Sequence, residues 1–210
     1  MTSILPSNEN SSWKEAAALL RSGSVVAFPT DTVYGLGAIM EDSAAVEKLF
    51  LLKKRPKDKA IVIFIASLEM AWQLVIPPST KVQALLNNFW PGALTAIFPK
   101  RSSIPEGITG GRPGLGLRMP NCERCLNLVR EVGQPLAVTS ANLSNEPTPK
   151  TAVGVAQALG KELPLVIDSG ATTDIKPSSV VDFAASPPVL LREGELSLEK
   201  LKEHLPTLNQ

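Results

Sequence analysis

Histidine and cysteine are nearly absent from this sequence, which has one histidine and two cysteines among 210 residues. The histidine, His204, lies near the far end of the chain in a predicted terminal helix, which argues against Ser–His–Asp catalysis. A structural zinc site takes about four ligands, whereas Cys122 and Cys125 form one C-x-x-C pair without a second pair. We therefore predict no metal held by protein ligands alone.

The cysteine pair has two interpretations. It follows Pro120 and Asn121 at a predicted helix start, where the positive end of a helix favours a reactive thiolate and redox chemistry. The alternative, which the sequence favours, is that both cysteines are ordinary residues in the first turn of a helix.

Long apolar runs and an excess of charge are also missing. No stretch approaches the ~20 apolar residues of a membrane-spanning helix, and Met1 to Ser12 lack the basic and apolar parts of a secretory signal. The 21 Lys and Arg residues nearly balance the 20 Asp and Glu residues, which argues against a protein that coats nucleic acid through charge alone. These features predict a cytoplasmic protein without membrane contact.

The known glycine-rich phosphate-binding motifs are also missing from the sequence. The sequence has neither G-x-x-x-x-G-K-[ST] nor G-x-G-x-x-G after a strand, and the segment from Gly110 to Gly114 matches neither pattern. No obvious pair of nucleophile and base is present. An enzyme with this sequence is expected to act by positioning substrates and stabilising charge, without a covalent intermediate.

Short apolar strands alternate with helices for most of the chain. This order predicts an α/β fold, with a twisted mixed sheet and flanking helices in a single domain over residues 1–210. The predicted strands are 25–28, 61–65, 93–98, 115–118, 136–139, 163–167, 180–183 and 189–191, and the predicted helices are 13–20, 43–52, 68–75, 79–89, 122–132, 152–159 and 198–204. The Gly-, Pro- and Ser-rich loops 100–114, 142–151 and 168–179 are candidate site walls, because ligands bind at the carboxyl ends of strands in open α/β sheets.

Five positive charges are concentrated between Lys53 and Lys59, after a predicted helix and before an apolar strand. Arg55 can bind a phosphate through two N–H groups, and Lys53 and Lys59 add point charges, so the cluster is interpreted as an anion site. The alternative is a solvated helix end, where cations offset the helix dipole. We keep that interpretation for Lys54 and Lys57.

Two polar segments directly follow predicted strands. Residues 29–37 contain two threonines, a tyrosine and two glycines, which permit the close approach of a small polar ligand. Ser140 and Asn142 alternate after strand 136–139, so in an extended segment both side chains face one side and offer donors to a phosphate or carbonyl oxygen. Each segment also fits an ordinary turn.

Together these segments resemble the YrdC family, the threonylcarbamoyl-AMP synthases, in its short single-domain form. The matching blocks are residues 28–37, 53–59, 89–95, 117–120, 139–144, 178–182 and 191–194, within a core of about residues 10–200. Separate Lys-x-Arg and Ser-x-Asn elements, here Lys53 with Arg55 and Ser140 with Asn142, are the hallmark of the family.

The resemblance implies a YrdC-like open twisted mixed sheet with a large, positively lined concave cavity. It implies that L-threonine, bicarbonate and ATP give L-threonylcarbamoyl-adenylate and pyrophosphate, with Mg²⁺ accompanying ATP. Partner enzymes of tRNA modification then place the threonylcarbamoyl group on adenosine 37 of tRNAs that read ANN codons. Members of the family also look able to bind RNA, so the resemblance implies double-stranded RNA or tRNA as a further partner.

The resemblance also assigns residues by motif position. The implied catalytic residues are Lys53, Arg55, Ser140 and Asn142. The implied ATP contacts are Arg55, Lys59, Gly114, Ser140, Thr148 and Arg192, with Lys53 lining the same cavity. The implied threonine pocket consists of Thr32, Arg118, the backbone of Val138, and Ser178, with Arg118 as the partner of the threonine carboxylate.

Four positions depart from the family pattern. Asp31 stands in place of a Glu, Phe64 in place of a His found in some members, Ser179 in place of a Thr and Glu193 in place of a Pro. These departures leave two alternatives open. One is an RNA-binding relative with little or no synthase activity, and the other is a different carbamoyl-adenylate-forming protein.

Overall fold

The computed structural model describes residues 1–172 and 176–210, so part of the predicted loop 168–179 lies outside the described residues. Within the described residues, ten strands form one sheet. The strands are β1 (Ser3–Pro6), β2 (Val26–Phe28), β3 (Gly35–Ile39), β4 (Val62–Phe64), β5 (Leu94–Pro99), β6 (Gly114–Arg118), β7 (Leu136–Ser140), β8 (Leu165–Asp168), β9 (Ser179–Asp182) and β10 (Val189–Arg192). The helices are α1 (Asn10–Arg21), α2 (Ser43–Lys53), α3 (Leu68–Leu74), α4 (Thr80–Leu86), α5 (Glu106–Thr109), α6 (Glu123–Val132), α7 (Ala152–Leu159) and α8 (Leu198–His204).

The sheet mixes parallel and antiparallel neighbours. Its strand order is β1-β8-β2-β3-β7-β4-β6-β5-β9-β10, with β4 parallel to β6 and antiparallel to β7. This arrangement confirms the predicted α/β fold with a mixed sheet. The centre of the sheet, from β3 to β9, carries the candidate site.

The core lies between the sheet and the helices that cover it. Every residue of β2 and β3 is buried, which is expected of strands covered on both faces. Helix α1 turns Ala16, Ala17 and Leu20 inward, each with no exposed surface, because their spacing places them on one face of the helix. Small alanines permit the helix to approach the strands closely.

Three elements were not predicted, namely β1, β3 and α5. Strand β3 occupies part of the segment that was interpreted as a ligand-binding turn. A Cβ atom on Gly37 would lie 2.8 Å from the Phe28 ring, so this glycine admits the aromatic ring of the neighbouring strand. Among the described residues, no helix has the length and apolar character needed to cross a membrane.

Candidate functional site

A cavity of about 550 Å³ opens over the central strands, a size typical of small-molecule sites. Its walls include residues of β3 to β7 and of β9 and β10. The sheet topology therefore gathers segments that are far apart in the sequence. Eight of the residues assigned from the sequence line it: Thr32, Arg55, Gly114, Arg118, Val138, Ser140, Ser178 and Arg192.

The charged groups on the cavity wall are mostly arginines. Four of them line it, Arg55, Arg112, Arg118 and Arg192, and Asp182 is the acid among the described lining residues. Guanidinium groups bind carboxylates and phosphates through paired N–H donors. The wall is thus suited to ligands that carry several negative charges.

Arg118 is buried at one end of the cavity, with 5% of its surface exposed. Its Nη2 donates to Asp31 Oδ1 over 2.7 Å, its Nη1 to Thr32 Oγ1 over 3.1 Å and its Nε to Gly92 O over 3.1 Å. These bonds hold the guanidinium in one orientation, because each of its nitrogens has a protein partner. We call this end of the cavity the Arg118 pocket.

Hydroxyl groups surround the Arg118 pocket. Ser178 is buried, its hydroxyl lies 2.8 Å from Thr95 Oγ1, and it accepts a bond of 3.3 Å from Arg192 Nη2. Arg192 also donates to Ser178 O from Nε over 3.2 Å and from Nη2 over 2.8 Å. Partial burial, together with the charge of nearby Arg118, lowers the pKa of Arg192. An anion between these two arginines would relieve their repulsion.

Arg55 is held less completely than Arg118. Its Nη2 donates to Ala60 O over 2.6 Å, whereas its buried Nε has no hydrogen-bond partner. A buried N–H without a partner costs free energy. Burial also lowers the pKa of Arg55, since desolvation disfavours the charged form. An anionic ligand beside the guanidinium would offset the cost of desolvating its charge.

Lys53 is buried and is not among the residues that line the cavity, so the expectation that it lines the cavity is wrong. Its side chain is 1% exposed. Its ammonium group donates to Ser140 O, to Asn142 O over 2.5 Å and to Asn142 Oδ1 over 3.4 Å. Burial, with a smaller contribution from Arg55, lowers the pKa of Lys53 to about 7. Lys53 thereby ties the end of α2 to the end of β7.

Asn142 does not share the cavity wall with Ser140, contrary to the alternation that the sequence predicted. Strand β7 ends at Ser140, and the chain turns there, so the alternation of an extended segment does not continue. Asn142 is buried, and its Nδ2 donates to Leu143 O over 2.7 Å and to Glu146 O over 2.6 Å. Thr148, which donates to Asn142 Oδ1 over 3.5 Å, is also absent from the cavity wall.

The remaining lysines of the basic cluster point elsewhere. Lys59 donates to Asn145 Oδ1 over 3.0 Å and does not line the cavity. Lys57 forms an exposed ion pair of 2.9 Å with Glu47. Lys54 ends α2 in the left-handed conformation and is exposed. Only Arg55 of this cluster therefore reaches the cavity among the described residues.

Sequence reasoning missed two charged residues of the cavity, Arg112 and Asp182. Arg112 lies in loop 100–114, which the sequence predicts as a candidate site wall, but its glycine-rich segment matches no known phosphate loop, so the residue itself was not assigned a role. The usable signal was an arginine just before a predicted strand. The described residues contain no group of three or more side chains able to hold a metal ion.

Three of the departures from the family pattern have clear structural roles. Asp31 pairs with Arg118 and accepts a bond of 3.0 Å from Asn121 N. The Phe64 ring lies 5.6 Å from the Arg118 guanidinium carbon, within the range of a cation–π contact. Ser179 has no exposed surface and donates to Leu196 O over 2.6 Å. Glu193 is exposed.

Comparisons with known proteins agree with this architecture. The profile of the Sua5/YciO/YrdC family, described as "Telomere recombination", matches residues 18–194. The chain is 42% identical to the threonylcarbamoyl-AMP synthase of Pyrococcus abyssi over 193 residues, which are 91% of this chain and 57% of that protein. It is 34% identical to a putative threonylcarbamoyl-AMP synthase of Mycobacterium tuberculosis over 90% of this chain and 87% of that protein.

A solved structure gives the same result. The crystal structure of P. abyssi Sua5 complexed with L-threonine superimposes with a TM-score of 0.93 and 38% identity, over 100% of this chain and 62% of that one. The chain thus spans little more than half the length of the P. abyssi relative. The sequence match, the superposition and the seven motif blocks lead to one conclusion: this chain belongs to the Sua5/YciO/YrdC family.

Proposed function

We propose that this chain is a threonylcarbamoyl-AMP synthase, which converts L-threonine, bicarbonate and ATP to L-threonylcarbamoyl-adenylate and pyrophosphate. The observation that carries the proposal is the cavity itself, in which the protein gives Arg118 an acceptor at each nitrogen and gives Arg55 a single acceptor. Such a cavity suits one small carboxylate and one larger polyanion. The names of the relatives and the threonine complex of P. abyssi Sua5 support the same choice.

In this proposal the Arg118 pocket binds threonine. Three N–H groups of Arg118 already have protein acceptors, and the remaining guanidinium donors suit a carboxylate. Thr32 and Ser178 add hydroxyl groups at the pocket. The backbone of Val138 lies on the same wall and is proposed to contact the amino acid.

ATP occupies the part of the cavity near Arg55 and Arg192 in this proposal. The threonine amine first adds to the carbon of bicarbonate, and water leaves, which gives an N-carboxylate. A carboxylate oxygen then attacks the α-phosphate of ATP, and the bond from that phosphorus to pyrophosphate breaks. Both reactants are anionic, so cations must offset their repulsion and the charge on the leaving group. Arg55, Arg112 and Arg192 line the cavity, which supports this role for them. Gly114 and Ser140 also line the cavity and are proposed to contact the nucleotide.

The other assigned residues act indirectly in this proposal. Lys53 and Asn142 hold the end of β7, which carries Ser140. Thr148 and Lys59 contact the loop after β7 through Asn142 and Asn145. Neither Thr148 nor Lys59 lines the cavity, so we propose that both act through this loop.

We propose that Mg²⁺ enters with ATP as part of the substrate. Magnesium is commonly held by one or two carboxylates together with phosphate oxygens. Asp182 is a carboxylate on the cavity wall, and it accepts a bond of 2.8 Å from Ala184 N through one oxygen. The residues present therefore fit a nucleotide-borne ion, which would neutralise phosphate charge.

The product would serve tRNA-modification partner enzymes that act on adenosine 37 of tRNAs reading ANN codons. An adenylate is an activated acyl donor, so the enzyme that uses it must transfer its threonylcarbamoyl group to an acceptor. Direct binding of RNA by this chain is the principal alternative, and it predicts affinity that falls with salt in the absence of adenylate formation.

A substrate-omission assay on the purified protein tests the proposal. Pyrophosphate release should require ATP, L-threonine and bicarbonate together, and the adenylate should be detected by mass spectrometry. Release that ignores threonine would show that the substrate assignment is wrong. Turnover of carbamoyl phosphate in place of threonine would instead favour a different carbamoyl-adenylate-forming protein.

A further inference from the structure

The two cysteines lie beside the cavity, at the start of α6. Cys122 occupies the N-cap position of the helix, and its sulfur accepts a bond of 3.4 Å from Cys125 N. The Sγ atoms of Cys122 and Cys125 are 2.8 Å apart, and both thiols are free. The sequence left this pair with two interpretations, and this geometry favours chemistry between the two sulfurs.

The two thiols have different environments. Cys122 is partly exposed, whereas Cys125 is 1% exposed. The hydrogen bond from Cys125 lowers the pKa of the Cys122 thiol, and burial raises the pKa of the Cys125 thiol well above its ordinary value. An accessible thiol with a lowered pKa beside a buried one is the arrangement of an attacking and a resolving cysteine.

The pair contacts the backbone that supports the Arg118 pocket. The Cys125 thiol donates to Pro29 O over 3.0 Å. Two residues further on, Asp31 pairs with Arg118 and accepts from the N–H of Asn121, the residue before Cys122. The segments that begin at Pro29 and at Asn121 therefore meet at both the thiol pair and the ion pair.

We propose that Cys122 and Cys125 form a reversible disulfide that weakens ligand binding in the Arg118 pocket. A small-molecule disulfide such as oxidised glutathione is the oxidant. The Cys122 thiolate attacks it, forms a mixed disulfide and releases one glutathione thiolate. The Cys125 thiolate then attacks Cys122 Sγ and releases the second glutathione. Two protein thiols are oxidised, one small disulfide is reduced, and both protons end on the released thiols.

The weaker binding of the ligand follows from the loss of the hydrogen bond to Pro29 O. The disulfide has no S–H group, so Pro29 O loses both thiols that can donate to it, Cys125 at 3.0 Å and Cys122 at 4.0 Å. A carbonyl oxygen without a donor costs free energy, and Pro29 O lies next to the turn that carries Asp31 and Thr32. Both of these side chains orient Arg118. The nature of the ligand in this inference, L-threonine, rests on the proposed function.

The experiment compares reduced protein with protein equilibrated against oxidised glutathione. Thiol titration and intact mass should show the loss of both thiols and of two hydrogens, with recovery after dithiothreitol. Calorimetry should show L-threonine affinity about tenfold weaker in the oxidised form, a difference of about 1.4 kcal/mol. Amide hydrogen exchange should become faster in the peptides around residues 29–34 and 119–125.

Cys122→Ser is the matched control, because serine is a good N-cap residue and cannot form the disulfide. This variant should show the same affinity and exchange with and without oxidised glutathione. Failure of the wild type to form the disulfide would overturn the proposal, as would a disulfide that leaves both affinity and exchange unchanged. If neither form binds threonine, the proposed function fails, and the exchange data still decide whether the disulfide loosens the pocket.

Discussion

Arg118 and Arg55 line the same cavity, but the protein holds them in opposite ways. Arg118 has an acceptor at each of its three nitrogens, including the carboxylate of Asp31. Arg55 has one bond from Nη2 and a buried Nε without a partner. Arg118 therefore has a protein acceptor at each nitrogen without a ligand, whereas Arg55 has one, and an anion in the cavity would add partners mainly to Arg55.

In the proposed function, this difference separates two tasks of a site that binds two substrates. A small zwitterion offers few contacts, so its pocket benefits from groups that are already oriented. A polyphosphate brings enough charge to compensate a desolvated guanidinium. The comparison predicts that replacing Arg118 affects folding as well as binding, while replacing Arg55 affects mainly the reaction.

The largest effect on stability is expected from Arg118→Gln. The Asp31 side chain is 11% exposed and would lose its ionic partner, which should cost about 3 kcal/mol of unfolding free energy. Urea denaturation would measure the loss, and use of threonine should fall in the same variant. The double variant Asp31→Asn with Arg118→Gln should recover much of the stability. A double variant no more stable than Arg118→Gln would contradict the ion-pair explanation.

For Arg55→Ala we expect the reverse pattern. The ratio kcat/KM for ATP should fall about 100-fold, since one group that stabilises developing charge is lost. The free energy of unfolding should change by less than about 1 kcal/mol, because the variant also removes a buried unsatisfied N–H. Steady-state pyrophosphate release and urea denaturation together test this expectation. Equal loss of activity in Lys57→Ala would mean that the basic cluster acts only as a diffuse field.

Lys53 extends the comparison to a third basic residue, which is buried and donates to carbonyl oxygens of Ser140 and Asn142. Its pKa is about 7 in the folded protein against an ordinary value of 10.5. Between these values the unfolded chain binds the proton and the folded chain does not, so stability increases as the pH rises through this window. The gain should be roughly 5 kcal/mol across the whole window, since each pKa unit corresponds to about 1.4 kcal/mol. It should be missing in Lys53→Met, as measured by denaturation at several pH values. A parallel pH dependence in both proteins would contradict a lowered pKa for Lys53.

The smallest effect is expected at Lys57, the exposed member of the same cluster. Its ion pair with Glu47 leaves 75% of the lysine side chain exposed, and such pairs contribute less than about 1 kcal/mol. Lys57→Ala should therefore leave both stability and pyrophosphate release close to those of the wild type. A clear loss of activity would extend the anion site beyond Arg55.

The parts that sequence reasoning predicted well depend on local patterns. Helix α2 and strand β4 were predicted within one or two residues, because apolar spacing and continuous apolar runs reflect burial directly. Strand β3 was missed because its glycines resemble a turn, and their packing role depends on the Phe28 ring of another strand. That contact is not visible in the local sequence.

The residues of the site were predicted only in part, because local motifs do not show contacts between distant segments. Motif positions identified Arg55, Arg118 and Arg192, all of which line the cavity. They did not reveal that Asn142 turns away, because the turn after β7 is set by bonds to Leu143 and Glu146. Arg112 matched no motif, and only the sheet topology shows that it reaches the cavity.

The buried ammonium group of Lys53 has a consequence for how the site can move. It joins the end of α2 to the end of β7 through three acceptors, and Arg55 and Ser140 lie on the two segments so joined. These two segments are therefore expected to move as one rigid body. The effects of substitutions at Arg55 and Ser140 should then be coupled in a double-mutant cycle. Any closure around substrates would then come from the opposite wall, where Ser178 and Arg192 are held to each other rather than to Lys53. Lys53 would therefore make the side of the cavity that carries Arg55 and Ser140 the fixed side during any such movement.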